Sequence, residues 1–281
     1  MNPRGTLDLI RPVNCAMIGF AVIVGAFVSK PPTVPALQLA LGFFTGFFIC
    51  AYSMAVNDIY DLEVDRINRP DRPIPSGRVT PSQASRLSLA MLAVGLACSV
   101  LSFNVAAVAI ASAYAFISWL YNRWAKGTGL PGNLIVASSL AIPFIYGGAV
   151  SGGSIEGSLL LMMALTAFFS GVGREIVKSV ADVEGDAKRH VNSLARTRGL
   201  GFASGVGALF FLLAVLTSWV PLFTGLANQA YTYGVIVPDV IFVYLAAATV
   251  ARHDPQNAYR VKRIALAGMT VGLLVFIGGA V

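Results

Sequence analysis

Long stretches without a charged residue most constrain what this chain can fold into. Residues 87–122 and 199–238 contain no Asp, Glu, Lys or Arg, so these two runs are 36 and 40 residues long. A helix that spans a membrane needs about 20 mainly apolar residues, so each run is long enough for two spans. Five shorter uncharged runs repeat the pattern, and hydrophobic residues make up 56% of the chain. The sequence therefore predicts an all-α membrane protein with several spans.

Placing helices on these runs predicts nine transmembrane helices in one bundle, which form a single domain over residues 1–281. The predicted helices cover residues 12–29, 36–56, 84–102, 105–124, 132–150, 158–180, 199–218, 234–251 and 263–280. With the N-terminus in the cytoplasm, all of the 20 Lys and Arg residues except Lys30 fall on the inner side. This distribution follows the positive-inside rule, so it explains the net charge of +7 without a nucleic-acid partner. We therefore predict a multi-pass protein of the cell membrane.

An acidic segment follows the second predicted helix, although only 12% of the chain is charged. Four of the 13 acidic residues lie between Asp58 and Asp65, in the sequence NDIYDLEVD. Asn57, Asp61 and Asp65 are spaced i, i+4, i+8, so on a helix they would share one face, with Asp58 one position round. We call Asn57, Asp61 and Asp65 the first acidic row.

A second acidic segment, GREIVKSVADVEGD, follows the sixth predicted helix. Its charged residues recur at intervals of three and four positions, so they too would share one helix face. The second acidic row consists of Glu175, Lys178, Asp182 and Asp186. Asp182 follows Asp61 by 121 residues, which suggests two related halves, predicted helices 1–4 and 5–8. Each half would supply one acidic loop, 57–83 or 181–198, to the cytoplasmic face.

Two rows of carboxylates on one membrane face would repel each other unless cations lay between them. Mg²⁺ takes oxygen ligands, usually one or two carboxylates together with water and the phosphate oxygens of a substrate. Arginine suits bidentate contact with phosphate, and Arg69, Arg72 and Arg78 follow the first row in NRPDRPIPSGR, a loop stiffened by prolines. The pattern therefore predicts a Mg²⁺-dependent site for a diphosphate at the cytoplasmic side of the membrane.

Taken together, these segments resemble the UbiA superfamily of intramembrane prenyltransferases. NDIYDLEVD is similar to the first aspartate-rich motif of that superfamily, N-D-x-x-D-x-x-x-D, and DVEGD is similar to the second, D-x-x-x-D. RPDRPIPSG, YNRWAKGTGLPGN and RPVN resemble its segments after helix 2, after helix 4 and at the start of helix 1. Within the superfamily, REIVKSVADVEGD is most similar to the archaeal digeranylgeranylglyceryl phosphate synthase branch.

The resemblance implies a reaction, a metal and a set of site residues. The donor would be an isoprenoid diphosphate, geranylgeranyl diphosphate in that branch, and the acceptor would be a membrane lipid, geranylgeranylglyceryl phosphate. Mg²⁺ would be held by Asn57, Asp58, Asp61, Asp65, Asp182 and Asp186. The catalytic roles would fall to Asp61, Asp182, Lys178 and Arg72. The substrates would also contact Asn14, Asn57, Arg69, Arg78, Tyr121, Lys126 and Arg174.

Two other functions remain open at this point. Aromatic prenyltransferases of quinone, haem or chlorophyll biosynthesis share the superfamily motifs and differ in the acceptor. A phosphate-bearing acceptor needs further basic residues in the cavity, and Arg11 and Arg174 are the candidates. An ion-coupled transporter would instead place acids near the middle of the membrane. Asp239, near the outer end of predicted helix 8, comes nearest to that requirement.

Overall fold

A computed structural model describes residues 3–29, 33, 35–153, 155, 158–188 and 190–280. Within these ranges the regular secondary structure is all helical, and there is no strand. Lys30, the cation predicted to lie on the outer side, falls outside the described residues. The α-helices are α1 (Pro3–Ile10), α2 (Pro12–Val28), α3 (Ala36–Tyr60), α4 (Leu62–Asn68), α5 (Pro81–Leu101), α6 (Val105–Arg123), α7 (Leu130–Ser151), α8 (Leu159–Ala181), α9 (Val183–Lys188), α10 (Leu194–Arg198), α11 (Leu200–Phe223), α12 (Gln229–Gly234), α13 (Ile236–Ala251) and α14 (Pro255–Ala280).

Eight helices in the described ranges are long and apolar enough to cross a membrane, when α12 and α13 are counted as one. A ninth crossing is obtained only if α1 and α2, which meet at an angle of 42°, form one bent span. The bend lies at Arg11, which has a φ of 51° and precedes Pro12. A proline disfavours helical geometry in the residue before it, so α1 ends at this point.

Two helices start well before their predicted boundaries, for reasons that the structure shows. The predicted helix at 84–102 begins at Pro81, because Thr80 and Gln83 form a capping box around a proline at the first helical position. The predicted helix at 263–280 begins at Pro255. Residues 255–262, which were predicted to lie in a basic inner loop, are therefore part of α14. The two acidic loops are also partly helical, since they contain α4, α9 and α10.

The chain divides into two compact units. The first unit consists of the helices from α1 to α6, apart from Val28, together with residues 146–153 at the end of α7. The second unit contains residues 124–145 and the helices from α8 to α14. Each unit therefore carries one of the two acidic rows, as the suggestion of two halves requires.

In the first unit, α3 packs against α5 and α6, and α1 packs against α3. The end of α7 approaches α2 so closely that a Cβ atom on Gly147 would lie 2.0 Å from the Val22 carbonyl oxygen. Small residues allow such close approach between helices in lipid, where packing rather than the hydrophobic effect drives association. A small buried cluster joins α1, α3, α5 and the loop after α4, and its members are Leu9, Ala55, Ile74, Val79 and Ala84.

In the second unit, α8 packs against α11 and α14, and α13 packs against the same two helices. Asp239 of α13 is buried, and its carboxylate accepts hydrogen bonds from Ser218 Oγ at 2.9 Å and Trp219 Nε1 at 2.7 Å. The Tyr231 hydroxyl donates to the Ser218 carbonyl oxygen at 2.7 Å. Asp239 therefore links α13 to α11 within a hydrogen-bonded cluster that stabilises the packing of these helices.

Candidate functional site

The first acidic row lies where α3 passes into α4. The backbone N–H of Asp61 donates to the Asn57 carbonyl at 3.0 Å, and that of Asp65 donates to the Asp61 carbonyl at 2.8 Å. The helical i to i−4 pattern therefore continues through the break between the two helices. The Asn57 side-chain amide donates to Asp61 Oδ2 at 2.9 Å. The three side chains follow one helix face, as their spacing predicts.

The second acidic row has the same local structure at the passage from α8 to α9. The backbone N–H of Asp182 donates to the Lys178 carbonyl at 2.9 Å, and that of Asp186 donates to the Asp182 carbonyl at 2.9 Å. Asp61 and Asp182 thus occupy equivalent positions, each between a long helix and a short one, with (φ, ψ) of (−86°, 0°) and (−105°, 16°). Both units repeat the same acidic motif.

Asp61 and Asp182 both lie at the C-terminal end of a long helix. Each is followed directly by a short helix, and the backbone hydrogen bonds continue past it. The central aspartate of each row is therefore held on a helical backbone, and its carboxylate oxygens are ligands that a hard cation prefers.

Two arginines enclose Asp58, which is only 2% exposed. Its Oδ1 atom accepts from Arg11 Nη2 at 2.6 Å and from Arg72 Nη1 at 3.2 Å. Arg72 Nη1 also donates to Asp65 Oδ2 at 2.6 Å. These contacts link the start of α2 to the loop after α4 and to the first row. Although Asp58 was predicted as a metal ligand, this geometry favours a role in orienting Arg72.

The other two arginines of the loop have different surroundings. Arg78 forms an ion pair with Asp8 of α1, and its Nη2 donates to the Asp71 carbonyl at 2.6 Å. Arg69 is exposed at the end of α4, and its backbone N–H donates to the Asp65 carbonyl at 2.8 Å. Of the three predicted phosphate-binding arginines, the structure brings Arg72 alone into an ion pair with the described acids of the first row.

In the second unit, Glu175 forms ion pairs with two of the predicted basic residues. Glu175 is 7% exposed, and its two carboxylate oxygens lie 2.7 Å from Arg174 Nη1 and 3.1 Å from Lys178 Nζ. Asp182 has a different partner, Lys262 of α14, whose Nζ lies 3.5 Å from Asp182 Oδ1. Sequence reasoning missed Lys262 because it placed that residue in a loop.

Lys126 lies in a 3₁₀ helix, Ala125–Gly127, and is half-buried. The backbone N–H of Asn192 donates to the Gly127 carbonyl at 2.9 Å, so this segment is fixed to the chain just after α9. The remaining two predicted contacts lie in the first unit: Tyr121 is half-buried near the end of α6, and Asn14 is exposed on α2.

Replacing Gly129 by Ala should disrupt this junction. Gly129 has a φ of 77°, and a Cβ atom there would lie 2.0 Å from the Asn192 carbonyl oxygen. Left-handed geometry costs a non-glycine residue about 1–2 kcal/mol before any clash is counted. We expect a lower unfolding temperature in detergent and a lower rate of the prenyl transfer that the motifs predict. Gly127→Ala is the control, because no atom lies within 4 Å of a Cβ atom there; equal effects of the two changes would contradict the account.

The oxygen atoms of both rows suit a hard cation such as Mg²⁺ as ligands, because they belong to carboxylate and amide groups. The described residues contain no group of three or more His, Cys, Asp or Glu that could hold a metal by itself. Mg²⁺ usually takes one or two carboxylates and completes its coordination with water and substrate phosphate. The oxygen ligands of both rows therefore fit an ion that binds along with a diphosphate.

Comparison with known proteins shows which family the chain belongs to. The profile of the UbiA prenyltransferase family matches residues 18–273. A digeranylgeranylglyceryl phosphate synthase from Archaeoglobus fulgidus is 37% identical over 277 residues, which cover 97% of this chain and 94% of that protein. A solved structure concerned with digeranylgeranylglyceryl phosphate synthase in membranes aligns with a TM-score of 0.86, at 32% identity, over 99% of this chain and 98% of that one.

A more distant structural relative shares the fold. A UbiA homologue from Archaeoglobus fulgidus, solved bound to GPP and Mg²⁺, aligns with a TM-score of 0.71 at 18% identity, over 97% of this chain and 99% of that one. The family match spans most of the chain, and the aspartate-rich motifs lie on the helix ends described above. The chain therefore belongs to the UbiA prenyltransferase family.

Proposed function

We propose that this protein transfers a geranylgeranyl group from geranylgeranyl diphosphate to geranylgeranylglyceryl phosphate, with Mg²⁺ as the cofactor. The product would be a precursor of archaeal ether lipids. The observation that carries the proposal is the repeated acidic motif, present once in each unit, together with the ion pair that directs Arg72 to the first row. The names of the full-length relatives support the choice of substrates.

In the proposed mechanism the acidic rows hold the metal and the basic residues hold the diphosphate. The metal ligands would be Asn57, Asp61, Asp65, Asp182 and Asp186. When bound, Mg²⁺ would neutralise negative charge on the diphosphate as it leaves. Arg72 and Lys178 would donate hydrogen bonds to diphosphate oxygens, where charge develops when the allylic C–O bond breaks. The acceptor hydroxyl oxygen would form the new C–O bond, and its proton would pass to an oxygen of the departing diphosphate.

The proposal also includes an orientation of the chain in the membrane. We place the N-terminus and both acidic rows at the cytoplasmic side, with α1 and α2 forming the first of nine spans and both units acting as one catalytic domain. The positive-inside distribution of Lys and Arg supports this orientation. The polar heads of both substrates would meet the acidic rows, while their hydrocarbon tails remain in the apolar part of the membrane, away from water.

The aromatic prenyltransferases differ in the acceptor, and the proposed acceptor carries a phosphate. Arg11 and Arg174 were the sequence candidates for binding that phosphate. Each is paired with a buried acid, Arg11 with Asp58 and Arg174 with Glu175. A guanidinium group has five donors, so each can hold its carboxylate and still donate to a phosphate oxygen. The choice of a phosphate-bearing lipid over an aromatic acceptor follows the names of the relatives.

Product analysis tests the proposal. The purified protein is incubated with Mg²⁺, labelled geranylgeranyl diphosphate and a panel of acceptors, and the products are identified by mass. We expect one prenyl group to be added to geranylgeranylglyceryl phosphate, and we expect a chelator to stop the reaction. Transfer to aromatic acceptors alone, or transfer that continues without a divalent cation, would contradict the proposal.

A further inference from the structure

Lys262 of α14 directs its ammonium group at the second acidic row. Its Nζ atom lies 3.5 Å from Asp182 Oδ1 and 4.6 Å from the centroid of the Tyr259 ring. The Lys262 side chain is only 16% exposed. An ammonium group has three donors, yet among the described residues its nearest oppositely charged atom is this carboxylate oxygen, at a long distance for a hydrogen bond. Its donors therefore have capacity for a further acceptor.

The position of Lys262 is set by the packing of α14 on α8. Ala258, Val261 and Ala265 of α14 are buried in the same core cluster as Val177 and Val180 of α8. These three α14 residues recur at intervals of three and four, so they form one helix face, and Lys262 follows directly after Val261. The ring of Tyr259, one turn earlier, adds a cation–π contact that holds the ammonium in place.

Two other basic residues, Arg174 and Lys178, are already paired with a different acid of the second row. Arg174 and Lys178 lie 2.7 and 3.1 Å from the carboxylate oxygens of Glu175. Asp182 is 40% exposed, and its contact with Lys262, at 3.5 Å, is longer than these two. Within the described part of the second unit, Lys262 is thus the cation beside Asp182 at the end of α8.

We propose that Lys262 is a diphosphate-binding residue, which neutralises Asp182 in the free protein and donates to a diphosphate oxygen when the substrate binds. This inference rests on the proposed function. A divalent cation at Asp182 would take over the neutralisation of that carboxylate and would repel the ammonium. A diphosphate supplies several charged oxygens that accept strong hydrogen bonds from an ammonium group. Lys262 would need to move little to pass from Asp182 to a diphosphate oxygen bound beside it, because Asp182 and Lys262 are already in contact.

Binding of inorganic pyrophosphate and of Mg²⁺ to the full chain in detergent tests this assignment by calorimetry, without using turnover. Lys262→Met should weaken the binding of pyrophosphate in the presence of Mg²⁺ by about tenfold or more, the size of one charge-assisted hydrogen bond. It should leave the affinity for Mg²⁺ at saturating pyrophosphate unchanged or higher, because a competing cation has been removed. Lys262→Arg should retain most of the pyrophosphate affinity. Arg263→Met is the matched control, since it removes one charge from an exposed neighbouring position.

Unchanged pyrophosphate binding by Lys262→Met would overturn the assignment and leave the proposed function intact. Equal losses of pyrophosphate and Mg²⁺ binding, together with a lower unfolding temperature, would show that Lys262 acts only in packing, and would also overturn it. If the unaltered protein shows no Mg²⁺-dependent binding of pyrophosphate, the proposed function fails, and the assignment of Lys262 fails with it.

Discussion

Replacing Asp61 by Asn is expected to reduce the rate of prenyl transfer by about a hundredfold to a thousandfold, the size of effect seen when one group that stabilises developing negative charge is removed. The protein should remain folded, because an Asn side chain can still accept the hydrogen bond that Asn57 donates to Asp61. Asp182→Asn should behave in the same way, since Asp182 occupies the equivalent position in the second row. The measurement is the single-turnover transfer rate at saturating Mg²⁺, with the unfolding temperature as a check on folding.

The chain offers a matched control for each of these changes. Glu63 is 79% exposed and pairs with Arg66 at the surface, so Glu63→Gln removes a carboxylate beside the first row without touching it. Glu184→Gln does the same beside the second row, where Glu184 is exposed. Both controls should keep the full rate. If Asp61→Asn or Asp182→Asn also kept it, the carboxylate would have no part in binding the leaving diphosphate.

Asp58→Asn is expected to destabilise the protein by about 1.5–3 kcal/mol, the usual effect of losing a hydrogen bond to a charged group. Asp58 is 2% exposed and accepts hydrogen bonds from both Arg11 and Arg72. An amide cannot offset the two guanidinium charges that remain. Because Arg72 also contacts Asp65, the change should additionally displace Arg72 and lower the rate of transfer. The free energy of unfolding and the transfer rate are measured on the same preparation.

Asp8→Asn is the comparison for that prediction. Asp8 also lies in the first unit, but it is 53% exposed, and its ion pair with Arg78 is at the surface. Exposed pairs contribute about 0–1 kcal/mol, so we expect little change in stability. Equal losses for the two variants, or a neutral Asp58→Asn, would mean that the buried contacts of Asp58 do not hold the loop.

Much of the fold could be predicted from apolar runs and helical spacing. The predicted span at 36–56 corresponds to α3, and the acidic residues share a face because the i to i−4 hydrogen bonds continue through Asp61 and Asp182. A local signal also existed for the start of α5, since Thr80, Pro81 and Gln83 form a capping box. Features that depend on neighbouring residues along one helix are therefore visible in the sequence.

The partners of the acids were harder to predict because they come from distant positions. Arg11 reaches Asp58 from 47 residues away, and no helical spacing indicates such a contact. Lys262 was missed because hydropathy marks only the apolar part of a span, so the charged first turns of α14 were interpreted as a loop. Charged residues continue a helix readily where their side chains can reach the membrane surface. The functional roles of the basic residues depend on these long-range contacts.

Affinity for a non-cleavable geranylgeranyl diphosphate analogue, measured with and without Mg²⁺, tests most directly whether both acidic rows act on one diphosphate through a divalent cation. The measurement compares the unaltered protein with Asp61→Asn and Asp182→Asn. We predict that Mg²⁺ strongly increases the affinity of the unaltered protein and that each substitution alone removes this increase. Full Mg²⁺-dependence in either variant would contradict the account, because that row would then not contribute to metal-assisted binding of the diphosphate.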